Sequence, residues 1–203
     1  RYPVPLFFDD TLASGEQNYY YQCDPEWSGQ SYGNSTIGKI GCLLSSMGMA
    51  MSAMTGGIDF SPGFLSKIYP AVDGGLGGNQ AVEMGDLIGA TYTRQSITSL
   101  DPSKPNSSYW EIIDKLKKGY PVILSSYTNG NSDDGSHHYL INGLHEGRIS
   151  SANLEGDSDD AHWTMLFDPG SKYNVGAINL REMLANNPGR LSTDARILTG
   201  DRI

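Results

Sequence analysis

Two cysteines and four histidines are all that this chain of 203 residues offers a soft metal ion, and none of them stands at a zinc-like spacing. Two thiols make no disulfide framework either, although a buried or mutually bonded pair fits the composition. Basic charge is scarce: 14 Lys and Arg against 23 Asp and Glu leave a formal net charge of -9 and a pI near 4.7. Like charge repels and no basic run offsets it, which argues against nucleic acid or an anionic membrane as the main partner. Absent too is any apolar run near the roughly 20 residues of a membrane helix, so membrane insertion is not expected. Arg1 opens directly into "YPVPLFF" without the charged-then-apolar order of an export signal. The expectation is a protein that stays inside the cell, or one whose signal has already been removed.

What is present is small and flexible. Gly is used 25 times and charged residues make up only 18%, a loop-rich globular composition without the charge density of disorder. The length suits one domain with a full core, residues 1–203, and a monomer is expected. From Cys42 to Thr55, ahead of Gly56-Gly57, Leu43, Leu44, Met47, Met49, Met51 and Met54 lie among Ser, Ala and Gly with no charge, which predicts a helix buried nearly all round. Further helices are predicted after Ser61-Pro62, after Asn79, and over "SSYWEIIDKLKKG", where Ser108 and Glu111 have capping-box spacing and Gly119 is the stop. Beyond Gly119 the period changes: "YPVILSSY", "HHYLING" and "WTMLFDP" read as strands, "NLREMLANNPG" as a helix and "ARILT" as a last strand. Helices early and strands late predict an α+β domain, a helical half packed on an antiparallel sheet.

Cys42 would stand at the first turn of the apolar helix. Unpaired N–H groups and the positive end of the helix dipole favour a thiolate there, and Gly41 ahead of it leaves the approach open. A thiol nucleophile needs an imidazole base, and that base a carboxylate or amide to orient it. His137 and His138 at the start of one strand, and Asp168 at the end of a later one, supply those types, while the Gln22 amide could serve an oxyanion. Alternation along a strand predicts that only one of the two histidines faces Cys42. Taken singly, a Gly-Cys ahead of an apolar helix is more often a buried structural thiol, and an Asp-Pro a turn. Cys23 reads as structural, His145 and His162 as loop or surface residues, and Trp27, Trp110 and Trp163 as core or cleft wall. "NGNSDDG" has the alternating oxygen ligands of a calcium loop, but its glycine is one place late and the distal Glu is missing, so a solvated turn is the simpler reading.

The order Gln, Cys, His, Asp resembles the papain-like cysteine peptidases. More closely, "QCDPEWSGQSYGNSTIGKIGCLLSSMGMAM", followed in order by "LKKGYPVILS", "HHYLING" and "LFDPG", resembles the C39-like peptidase family over roughly residues 17 to 170. The resemblance implies a papain-like fold with Cys42 as nucleophile, Gln22 as oxyanion donor and Asp168 orienting the base. The family's usual spacing before the strand glycine, here Gly143, implies His137 as base, whereas the aromatic that commonly follows points to His138; His137 is preferred. No cofactor is implied. The free-standing members of the family occur in exported, cell-wall-associated or phage proteins, so the expected substrate is a short peptide amide, in the stem or cross-bridge peptides of bacterial peptidoglycan, and the expected location extracellular or at the cell wall. A processing or leader-type peptidase, an acyl transferase and a degenerate peptide-binding module are the alternatives.

Overall fold

The computed structural model describes residues 2–5, 16–72, 74–97, 107–128, 136–149, 156–172, 175–185 and 190–201. Strands β1 (Tyr2–Pro5) and β2 (Glu16–Tyr19) form one antiparallel pair, and β3 (Ser31–Tyr32) and β4 (Ser35–Thr36) another. One turn of helix, α1 (Ile37–Ile40), then leads through Gly41 into α2 (Cys42–Met54). Every residue from Leu43 to Met54 is buried, as the absence of charge predicts. Burying a Leu or Met side chain contributes about 1.5–3 kcal/mol, so α2 is both the axis of the core and a rigid mount for the residue at its start.

α3 (Pro62–Ile68) begins as expected, with the Ser61 hydroxyl accepting from the Phe64 N–H at 3.2 Å. α4 (Gly78–Leu87) begins ahead of Asn79: Gly77 is its cap, and the Gln80 side-chain oxygen accepts from the Gly77 N–H at 2.9 Å. α5 (Ser107–Lys117) also departs from expectation. Ser108 lies inside the helix, and Glu111 accepts from Gln95 Nε2 at 3.0 Å instead of turning back on the helix start. Its stop is the predicted one: Gly119, at φ +82°, lets the Tyr120 N–H return to the Lys115 carbonyl at 3.0 Å.

The second half builds a six-stranded sheet from β5 (Thr91–Ser96), β6 (Val122–Thr128), β7 (Ser136–Glu146), β8 (His162–Phe167), β9 (Val175–Asn179) and β10 (Arg190–Thr199), in the order β5-β10-β6-β7-β8-β9. Every pairing in it is antiparallel, and α6 (Leu180–Ala185) follows β9. Side chains divide by parity. Ile123, Leu140, Met165, Phe167 and Leu198 face α2, α3 and α4 in one core cluster. Val122, Leu124, Ile141, Ala195 and Ile197 meet α5 and α6 in a second cluster on the other face. The α+β class with an antiparallel sheet is therefore as predicted, but helices cover both faces instead of one. Gly143, at φ +78°, sits in a bulge of β7 between Asn142 and His145. No described helix is long and apolar enough to cross a membrane.

Candidate active site

α2 positions Cys42 and β7 the two histidines. The helix starts at Cys42 with Gly41 as its cap and no side-chain cap bond, so the N–H groups of its first turn are not taken up by a cap side chain. Cys42 Sγ lies 3.4 Å from His138 Nδ1. His137 Nε2 lies 2.6 Å from Asp168 Oδ1, which also accepts from the Gly170 N–H at 2.8 Å. With Nε2 on the carboxylate, Nδ1 is the His137 nitrogen left for the thiol.

Among the described residues the hydrogen bond to Cys42 comes from His138, not from the preferred His137, although both imidazoles act on the thiol's pKa. Alternation fixes the Cα–Cβ directions along β7, whereas the ring nitrogens stand further out and rotate onto a sulfur beside the start of the strand. The electrostatic result is an ion pair. Burial would push the Cys42 thiol up, but hydrogen bonds and charge from His137 and His138 outweigh it and lower the pKa to about 5. Burial would likewise lower His137, but the Asp168 hydrogen bond, then that of Cys42, and the charges of both raise it to about 9. His138 is buried, and its Nε2 has no hydrogen-bond partner among the described residues.

Gln22 brackets the site. Its backbone N–H donates to the Pro169 carbonyl at 2.9 Å, next to Asp168, and its side-chain Nε2 donates to the Gly38 carbonyl at 3.0 Å, in the turn before Cys42. One of its two amide hydrogens is thus engaged away from the thiol. Cys23 and Cys42 are both free, so a disulfide between them is excluded, and neither is the fully buried thiol that the composition allows. Cys23 is exposed, with its Sγ 3.3 Å from the same Gly38 carbonyl.

Several contributors had no signal in the sequence. The Tyr19 hydroxyl is 2.6 Å from the Asp168 carbonyl, which it steadies, and also hydrogen-bonds the Ser171 carbonyl. Tyr32 is buried near the thiol; burial first, then the Cys42 charge, pushes its pKa up to about 12. A Cβ on Gly170 would stand 2.8 Å from His137 Cε1 and 3.2 Å from Asp168 Oδ1, so only glycine leaves that pair undisturbed. Lys39 and Arg196 join Cys42 and His138 in lining a cleft of about 470 Å³.

Elsewhere two expectations fail. His162 is buried at the start of β8, 3.0 Å from the Tyr109 hydroxyl and edge-on to the rings of Tyr109 and Trp110, because α5 packs across that face. Trp110 is about half exposed on α5, whereas Trp27 and Trp163 are core. His145 is partly buried and bonds the Arg148 carbonyl at 2.9 Å. The calcium-like stretch 129–135 lies outside the described residues, and among the described residues no group of His, Cys, Asp and Glu could hold a metal ion.

No protein-family model matches the chain, and no curated protein matches it in sequence. Among solved structures, a protein described as a C39-like peptidase from Bacillus anthracis aligns over 100% of both chains, with a TM-score of 0.50 at 13% identity. The peptidase domain of Streptococcus ComA, a bifunctional ABC transporter involved in a quorum-sensing pathway, aligns over 80% of this chain and 93% of its own, with a TM-score of 0.47 at 15% identity. The chain therefore shares the fold of that C39-like peptidase from Bacillus anthracis.

Proposed function

We propose that this protein is a cysteine peptidase in which Cys42 attacks a peptide carbonyl with His137 and Asp168 as base and orienting carboxylate. The observation that carries this reading is the partly buried constellation of Cys42, His138 at 3.4 Å, and His137 held 2.6 Å from Asp168, in which the thiol pKa falls to about 5. At neutral pH Cys42 is then a thiolate and His137 an imidazolium. The thiolate adds to the carbonyl carbon, and the oxyanion is received by the Cys42 N–H and the second Gln22 amide hydrogen. As the C–N bond breaks, His137 gives its Nδ1 proton to the leaving amine. Water then attacks the thioester, His137 takes one of its protons, and the acid product departs. Asp168 fixes the His137 tautomer throughout, while His138 holds the sulfur through its Nδ1 at 3.4 Å.

The substrate is a short peptide amide of bacterial peptidoglycan, and the protein works outside the cell or at the wall. A net charge of -9 with many Gly, Ser, Asn and Tyr residues suits an exported protein. Gly41 does not open the approach as its place before the nucleophile suggested: it is buried, and a Cβ there would stand 2.4 Å from the Ile37 carbonyl, so it serves the tight turn between α1 and α2. Incubation with purified sacculi, followed by mass spectrometry of released muropeptides, should show new amino termini with the natural protein and none with Cys42→Ala. Intact muropeptides alongside ready cleavage of an unfolded protein would reject the wall substrate and leave a general or processing peptidase.

A further inference from the structure

The cleft beside Cys42 has a charge unlike the rest of the molecule. Its helical wall carries Lys39, its sheet wall carries Arg196, and the described residues lining it include no carboxylate, in a chain with a net charge of -9. Lys39 is exposed and screened by solvent. Arg196 is not: its side chain is only 12% exposed, and its Nε is buried without a hydrogen-bond partner.

The acid beside it makes a loose, shared ion pair. Asp194 Oδ1 lies 3.7 Å from Arg196 Nε, beyond hydrogen-bond reach, and Asp194 Oδ2 is already taken by Arg94 Nε at 2.7 Å. Two guanidinium groups thus share one carboxylate, and the one without a hydrogen bond to it, Arg196, lines the cleft. A half-satisfied buried guanidinium costs free energy, and an incoming carboxylate that accepts from its planar fork offsets that cost. Leu43, Val72 and Leu76 make the walls apolar, which strengthens such a pair relative to water. Arg196 is also held firmly, since β10 is paired on both edges, with Arg94 and Ile123 opposite it.

We propose that this cleft is an anion subsite, in which Arg196, assisted by Lys39, receives a substrate carboxylate close to the scissile bond, so that acidic peptides are the preferred substrates. The proposal rests on the peptidase reading of Cys42 and adds its specificity. Peptides with a free side-chain or terminal carboxylate beside the cleaved amide are the class it selects.

The test uses two alkylators of Cys42 that differ in charge, iodoacetate and iodoacetamide, with the rates of both read by peptide mapping at neutral pH. Their ratio cancels any change in thiolate fraction. Arg196→Gln should lower the iodoacetate-to-iodoacetamide ratio on the order of five- to tenfold, the effect of removing one nearby charge in a partly buried site. Lys39→Gln should lower it less, and that smaller drop should vanish in high salt. A ratio unchanged within about twofold in Arg196→Gln would overturn the proposal. A second measurement on the natural protein needs no folded variant: acetyl-Gly-Glu-Gly-amide should protect Cys42 from iodoacetamide at lower concentration than its Gln counterpart, and equal protection would also overturn it. If Cys42 reacts no faster than Cys23 with the neutral reagent, the peptidase reading itself fails. Rapid neutral labelling with an insensitive ratio removes only the subsite.

Discussion

At the scale of the residue, the site turns on which imidazole moves the proton. His137 has a carboxylate 2.6 Å from Nε2 to fix its tautomer, whereas His138 has no partner on its Nε2 among the described residues. His137→Ala should therefore cost about 10²-fold or more in kcat/KM, and His138→Ala far less. Peptide cleavage by the two variants, each checked for folding by circular dichroism, decides it, and the reverse order would move the base to His138. Gly170 offers a subtler probe. The Cβ of Gly170→Ala would enter the space 2.8 Å from His137 Cε1, and because Gly170 is exposed the cost falls on ring position more than on folding. Activity should drop about 10²-fold, as for a roughly 1 Å misplacement, with the thermal midpoint nearly unchanged.

At the scale of the element, α2 carries the nucleophile and the core together. Gly48 lies in its middle, where a Cβ would meet the Phe60 carbonyl at 2.3 Å. Alanine gains about 1 kcal/mol over glycine in a helix, but forced overpacking costs about 1–3 kcal/mol, and a backbone carbonyl cannot swing aside as a side chain can. Gly48→Ala should thus lower the urea midpoint of unfolding; an unchanged or higher midpoint would show that α2 shifts freely. This helix was legible because burial on all sides excludes charge, and a charge-free run ending in glycines shows directly in composition. β6, β7 and β8 were legible as apolar runs for the same reason. Strands β5 and β9 were not: "TYTRQS" is an edge strand with mostly exposed polar side chains, held by its backbone ladder with β10 and by polar ties such as Arg94 to Asp194, none of which shows as an apolar run. The starts of α4 and α5 were misplaced because their polar residues bond to tertiary neighbours, as Glu111 does to Gln95.

At the scale of the whole molecule, the helical half brings Cys42 and Gln22, and the sheet brings His137, His138, Asp168 and Arg196. Candidate residue types could be picked from local sequence, but the Arg196 cleft could not, since it exists only where residues far apart along the chain converge. That convergence sets the working pH range. Lowering an acid's pKa keeps its anion down to lower pH, and raising a base's keeps its cation up to higher pH, so the thiolate–imidazolium pair spans the interval between about 5 for Cys42 and about 9 for His137. Plotted against pH, kcat/KM should rise through the lower value, stay level near neutrality and fall through the upper one; a profile still rising above the upper value would mean that free thiol, not the ion pair, is the resting state. The most direct test of the central claim is peptide mapping after brief treatment with limiting iodoacetamide at mildly acidic pH, where an unactivated thiol is almost wholly protonated. Access alone favours the exposed Cys23 over the partly buried Cys42. The account predicts rapid carbamidomethylation of Cys42, lost in His137→Ala, and label on Cys23 alone or on neither thiol would contradict it.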